Sequence, residues 1–168
     1  MVYTGNMVYK CIQDPDKRAV IQQHGVDLTV VEINKILPEP AQGDRPQGIY
    51  CTGAVNAKTA SMKDDFVVEG RHVWNLQPGI YTVYFDQGCK IPENAKANLI
   101  HRSSLARAGA ILTSAEYDPG FETNSMGAIL TVVSPLVIEK HSRIAQMIVY
   151  EVADKVDTPY KGHYQNER

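Results

Sequence analysis

The apolar positions of this chain fall into short runs with the period of strands. The longest is Val26–Ile36, VDLTVVEINKI, rich in β-branched residues and partly alternating. Shorter runs at 66–68, 72–76 and 80–85 carry the same signal, with Gln77-Pro78-Gly79 as a turn between the last two. Residues 97–100, 128–133 and 143–152 are further strand candidates. A short helix is expected over residues 6–13, with Thr4 or Asn6 as its cap. Residues 37–60 carry Pro38, Pro40 and Pro46 among scattered glycines and an asparagine, which predicts a long irregular connection. Residues 157–168 are polar and predict a tail that stays mobile unless a ligand orders it. Short strands divided by Gly/Pro turns point to a mainly β sandwich or barrel with a short N-terminal helix.

Length and charge narrow the picture. The chain has 168 residues, 43% hydrophobic and 21% charged, which predicts one domain over 1–168 with a core of useful size. Seventeen basic and 19 acidic side chains leave a net charge of -2, against a broad nucleic-acid surface. Any anion binding must be local. Cys11, Cys51 and Cys89 are scattered and odd in number, so neither a zinc pattern nor a disulfide frame is indicated. No apolar run reaches membrane-spanning length and the N-terminus lacks a signal-like core, so a cytoplasmic protein without membrane contact is expected.

The candidate chemistry sits in a few short stretches. Arg102, Ser103, Ser104 and Arg107 put two guanidinium forks and two hydroxyls within six residues, the donor types that grip phosphate oxygens. A helical turn with solvated arginines is the plainer reading. Asp118 heads a Pro-Gly turn, and an aspartate, itself repelled by phosphate, suggests a site that acts on its anion rather than only holding it. Asp27, within Gly25-Val26-Asp27-Leu28, reads equally as a turn or cap residue. Arg143-Ile144-Ala145-Gln146 heads an apolar strand whose polar ends suit solvent, and Tyr160 to Gln165 suits a disordered tail.

The order of these stretches resembles the trimeric dUTPase and dCTP deaminase superfamily over most of the chain. GVDL at 25–28, RSSLAR at 102–107, Tyr117-Asp118-Pro119-Gly120-Phe121, RIAQ at 143–146 and the terminal YKGHYQ look like five family motifs in sequence. The resemblance implies a distorted jelly-roll or β-barrel-like subunit and a homotrimer with active sites between subunits. Each site would hold a pyrimidine deoxynucleoside triphosphate and Mg2+. It implies Asp118 as the base and Asp27 as the metal ligand. It implies Arg102, Ser103, Ser104, Arg107 and Gln146 as phosphate donors, and Phe121 against the deoxyribose. Tyr160, Lys161 and Gln165 would close the tail over the triphosphate.

Two activities run on this scaffold. Hydrolysis needs a base for water, which Asp118 matches. Deamination needs a proton-shuttling glutamate on the strand after the third motif, and here that position falls on Val132 or Thr131, neither of which transfers protons as a carboxylate does. The pattern is most like the archaeal dUTPase branch. It implies a dUTP diphosphatase giving dUMP and pyrophosphate; dCTP deaminase, alone or bifunctional, and a non-catalytic regulatory trimer are the alternatives. His163 stands where the tail often has lysine, which predicts a pH-sensitive grip.

Overall fold

The structure is a computed structural model and describes residues 1–40, 48, 57–62 and 66–166. The chain runs α1 (Gly5–Tyr9), β1 (Ile12–Gln13), β2 (Val20–Ile21), β3 (Val26–Ile36), β4 (Thr59–Ser61), β5 (Phe66–Val68), β6 (Arg71–Leu76), β7 (Gly79–Phe85) and β8 (Gly88–Lys90). It continues β9 (Ala95–His101), α2 (Ser103–Arg107), β10 (Ala110–Thr113), β11 (Glu122–Thr123), β12 (Gly127–Val132), β13 (Leu136–Glu139) and β14 (Arg143–Glu151). Six strands in the order β14-β9-β10-β12-β7-β3 close into an antiparallel barrel through the β14–β3 pairing.

Closure depends on the length of β3. Its first half pairs with β14 (Gln146 opposite Asp27) and its second half with β7 (Ile33 opposite Val83). A register shift between Val30 and Glu32 lets one strand serve both neighbours. The extra residue also resets the alternation, so Val26, Leu28 and Val30 are buried and the next buried apolar residue is Ile33. Tyr81, Val83 and Phe85 from β7 meet them, with Leu130, Val132, Leu99, Met147 and Val149 from the other staves. Two small sheets, β1-β8-β11 and β13-β6-β5, lie outside the barrel path.

The mainly β prediction and the strands at 26–36, 66–68, 72–76, 80–85, 97–100, 128–133 and 143–152 all find counterparts within a residue or two. The helix is shorter than its predicted span. It ends at Tyr9, because Ile12 and Gln13 are drawn into a ladder with Cys89 and Gly88. Thr4 is its N-cap by position but makes no side-chain cap bond. Most of the irregular connection predicted over residues 37–60, with Cys51, lies outside the described residues. Among the described residues no helix is long and apolar enough to cross a membrane.

Candidate active site

The predicted residues gather in two places. The first lies where β3, β14 and β9 run side by side. Gln146 stands opposite Asp27 on one flank and opposite Ile100 on the other, and the Arg102 N–H donates to the Ile144 carbonyl at 3.0 Å. Pairing thus carries the first, second and fourth motifs to one spot. Gly25 is required there by close approach: a Cβ at its position would stand 2.8 Å from Gln146 Cγ and from the Met147 carbonyl oxygen.

Asp27 is the hub of this cluster. It is 1% exposed. Its Oδ2 accepts from Gln22 Nε2 at 2.9 Å and pairs with Arg102 Nε at 3.2 Å and Arg143 Nη1 at 3.7 Å. Its Oδ1 accepts from Gln146 Nε2 at 3.3 Å. Arg102 is the N-cap residue of α2, and no side chain caps that helix, so Ser103 and Ser104 stand exposed with their hydroxyls uncommitted. Arg107, in the last turn, is exposed and has no carboxylate partner among the described residues.

The expectation that Asp27 ligates Mg2+ does not fit this donor set. Mg2+ dehydrates reluctantly and keeps several waters. The carboxylate is shut off from solvent, and nitrogen donors occupy both oxygens. Among the described residues, no three His, Cys, Asp or Glu side chains cluster as a metal-holding group.

The second place is a cavity of about 430 Å³ under the third motif. Tyr117 forms a bridge with Ala97 through paired backbone bonds of 2.8 and 2.9 Å, and its buried hydroxyl donates to the Gly127 carbonyl at 2.8 Å. Burial pushes that phenol well above the usual tyrosine range. With Tyr117 pinned inward, Glu116 and Asp118 on either side of it are both exposed and both line the cavity. Glu116 pairs with Lys96 at 3.0 Å, whereas Asp118 has no side-chain partner among the described residues. Asp118-Pro119-Gly120-Phe121 is a turn closed by the Phe121 N–H donating to the Asp118 carbonyl at 3.0 Å. Gly120 adopts φ +83°, the conformation a Pro-Gly type II turn demands.

Phe121 is 9% exposed and touches Tyr117 and Tyr160, with ring centroids 5.2 and 5.3 Å away. It lines the cavity and also belongs to the core.

The tail is docked on this same turn. The Tyr160 N–H donates to the Pro119 carbonyl at 2.8 Å and the Asn166 N–H to the Glu122 carbonyl at 3.0 Å. Gln165 donates to the Gly120 carbonyl at 3.1 Å and accepts from the Glu122 N–H at 3.2 Å. Its amide is therefore spent on backbone. Tyr160 and Tyr164 form cavity wall, while Lys161 and His163 are exposed and His163 stacks edgewise on Tyr164 at 5.1 Å.

Sequence reasoning missed Gln22, Lys96, Tyr84 and the place of Glu116 in the wall, and gave Tyr164 no role although it lies in the terminal YKGHYQ motif; of the others only Glu116, two residues before Asp118 on an extended segment, carried a signal. Thr131 is exposed and Val132 is buried, and neither lines the cavity. The β12 residues that do are Gly127, Ala128 and Ile129, none of them an acid.

The fold and the two clusters define an antiparallel-barrel protein with a free carboxylate beside an apolar slot and a separate arginine–hydroxyl group. Residues 6–152 match the family model described as dCTP deaminase-like, and the chain belongs to that family. It is 35% identical over 158 residues to a probable deoxyuridine 5'-triphosphate nucleotidohydrolase of Methanosarcina mazei, covering 90% of this chain and 84% of that one. It is 36% identical over 145 residues to the deoxyuridine 5'-triphosphate nucleotidohydrolase of Methanocaldococcus jannaschii, covering 86% of each. Among solved structures, the 2'-deoxycytidine 5'-triphosphate deaminase of Agrobacterium tumefaciens superposes with a TM-score of 0.62 at 12% identity over 88% of this chain. This chain spans 47% of that one. A native EIAV dUTPase superposes with a TM-score of 0.50 at 14% identity, covering 91% of this chain and 97% of that one. These two establish the shared fold. The likeness to the archaeal dUTPases expected from the five motifs is borne out.

Proposed function

We propose that this chain is a dUTP diphosphatase of pyrimidine deoxynucleotide metabolism, acting in the cytoplasm as a homotrimer on Mg2+-bound dUTP. The observation that carries the reading is Asp118: an uncommitted carboxylate on a tight turn at the edge of an aromatic cavity, with no acid on the facing strand. A pyrimidine and its deoxyribose suit the cavity formed by Phe121, Tyr117 and the tail tyrosines. Asp118 orients a water and takes its proton. The water oxygen attacks the α-phosphorus, the bond from that phosphorus to the bridging oxygen breaks, and pyrophosphate leaves. Arg107, Ser103 and Ser104 offer free donors for the charge on the phosphates. Mg2+ would be held by the substrate's phosphates and would supply neutralisation of their charge.

Deamination needs a carboxyl that shuttles protons at the pyrimidine. Of the cavity acids, Glu116 is tied to Lys96 and Asp118 serves the water. The trimer is supported by an apolar strip. Ile80, Ile100, Ile111 and Ile129 are exposed on the outer face of β7, β9, β10 and β12, and Ile129 also walls the cavity. An interface over that strip brings a neighbour beside each cavity.

The test is incubation of purified protein and Mg2+ with dUTP or dCTP in H2¹⁸O. The expected products are labelled dUMP and unlabelled pyrophosphate from dUTP, with no ammonia from dCTP and a trimer mass by light scattering. Ammonia released from dCTP, or label in pyrophosphate, overturns the reading.

A further inference from the structure

Asp27 has a different task from the one its motif suggests. We infer that Asp27 is the positioning residue of the phosphate-binding cluster, fixing the guanidinium of Arg102 and the amide of Gln146, and that it does not ligate the divalent cation. The inference rests on the dUTPase reading and assigns a role within that site.

The geometry gives three grounds. Each oxygen of Asp27 already accepts a nitrogen donor: Gln22 and Arg102 at Oδ2, Gln146 at Oδ1. Oδ2 is thereby filled, and Oδ1 keeps one lone pair inside a carboxylate that is 1% exposed, which leaves no room for a cation and its waters. The charge balance also opposes it. One carboxylate already faces two guanidiniums, Arg102 and Arg143. A divalent ion bound there before the substrate would leave three net positive charges around a buried carboxylate. Finally, Arg102 engages Asp27 through Nε, not through its outer fork. That edge-on bond, with Nη1 reaching the Arg143 carbonyl at 3.4 Å, sets the guanidinium plane and leaves the outer edge of a one-third-exposed side chain for a phosphate oxygen. Gln146 bonds Asp27 through its Nε2, so the same carboxylate also sets that amide's direction.

The test is binding of α,β-imido-dUTP and of dUMP by calorimetry, in EDTA and in Mg2+, to wild type, Asp27→Asn, Arg102→Ala and the double variant. Asp27→Asn weakens the imido-triphosphate about 10- to 100-fold, the worth of one charge-assisted bond, equally with and without metal. Its dUMP affinity stays within about twofold, and the double variant is no worse than Arg102→Ala alone. A loss seen only with Mg2+, or a half-activating Mg2+ concentration raised about tenfold in hydrolysis, makes Asp27 a metal ligand and overturns the inference. Equal losses for both nucleotides, or additive losses in the double variant, reduce Asp27 to a fold-holding residue and overturn it as well. If Asp27→Asn does not fold, Arg102→Lys decides: it keeps the charge and loses the Nε anchor. About tenfold weaker imido-triphosphate binding without metal supports the inference, and wild-type affinity overturns it. A wild-type protein that neither binds the analogue nor hydrolyses dUTP removes the dUTPase reading itself.

Discussion

Gly120→Ala tests whether the docked tail matters to the site. Two costs follow from the structure. At φ +83° an L side chain pays about 1–2 kcal/mol of backbone strain. The new Cβ would also stand 2.7 Å from Pro159 Cβ, against an ordinary carbon contact of about 3.5–4.0 Å. The tail must withdraw by roughly 1 Å, and that stretches the 2.8 Å bond from the Tyr160 N–H to the Pro119 carbonyl beyond useful length. Four hydrogen bonds hold residues 160–166 to the turn, each worth a net ~0.5–1.5 kcal/mol, and most of that is offset by the entropy of ordering the segment. Docking is therefore shallow, and a further 2–3 kcal/mol, as an order-of-magnitude sum, lowers the docking equilibrium constant about 30- to 150-fold.

The bonds between the turn and Ile91 and the packing of Phe121 keep the turn in place, so the melting temperature should fall by no more than roughly 2–8 °C. Tyr160 and Tyr164 would leave the cavity, and the KM for dUTP should rise while the folded barrel persists. Trypsin cleavage after Lys161, followed by mass spectrometry, reads the tail directly and should accelerate in proportion to the undocked fraction. A cleavage rate and a KM both within about twofold of wild type would refute the reasoning, because the strain would then have been absorbed without moving the tail.

Asp118→Asn should lower dUTP hydrolysis by about 10²- to 10⁴-fold while nucleotide binding stays measurable by calorimetry, and a variant keeping half the wild-type rate removes Asp118 as the base. Arg107→Ala should weaken triphosphate binding about 10- to 100-fold and leave dUMP nearly unchanged; equal losses contradict its place on the outer phosphates. Phe121→Ala should cost roughly 3–5 kcal/mol in urea unfolding, since Tyr117 and Tyr160 both rest on the ring, and should also raise UTP turnover relative to dUTP; an unchanged ratio ends its role as sugar gate. Burial, with smaller contributions from Cys11 and Glu122, pushes the Cys89 thiol up to about 12 from an ordinary 9.0, and burial raises Cys11 and Tyr117 too. These groups keep their protons when folded and lose them when unfolded, so stability is full below about pH 9 and falls toward pH 12, by up to ~1.4 kcal/mol per pH unit per group. Cys89→Ala should flatten that fall by about one group's slope, and an unchanged slope contradicts the assignment.

Much of the barrel was legible because its staves are amphipathic. Gly79–Phe85 and Gly127–Val132 alternate between core and outer face, and alternation is a local property of sequence. The elements that escaped were those whose existence depends on a distant partner. Ile12–Gln13, Gly88–Lys90 and Glu122–Thr123 are two- or three-residue strands that exist only by pairing with one another. Ala110–Thr113 is short and follows a glycine turn, so its pairing with β12 had no local signature. At the site, residue types were legible and their commitments were not. Asp118 and Asp27 each look like a lone aspartate near a glycine. Only the fold shows that one is uncommitted at a cavity edge and the other is buried beneath two arginines. Gln165 likewise looked like a phosphate donor until the structure bonded its amide to Gly120 and Glu122.

The register also supports the shared site of the proposed trimer. Asp27, Gln146, Ile100, Thr113, Ile129 and Thr82 stand opposite one another in turn across β3, β14, β9, β10, β12 and β7. The phosphate cluster thus sits at one end of a single row and the cavity wall at the other. From Gln146 to Ile129 is three strand spacings, about 14 Å along the sheet. The row runs over the convex outside of a closed barrel, so side chains at its two ends diverge. No residue of the phosphate cluster lines the cavity. On the proposed reading, a substrate seated against Phe121 would turn its phosphates away from its own subunit's arginines. Ile100 and Ile129 occupy the middle of the row and are exposed, together with Ile80 and Ile111 on the adjoining row. In the proposed trimer, burying that strip against a neighbouring copy would remove apolar surface from water and would set the neighbour's arginine cluster beside the cavity in the same step. Substituting aspartate at Ile111, which touches neither half-site, should then abolish turnover by separating subunits. A monomeric Ile111→Asp protein with wild-type kcat/KM would refute the shared site.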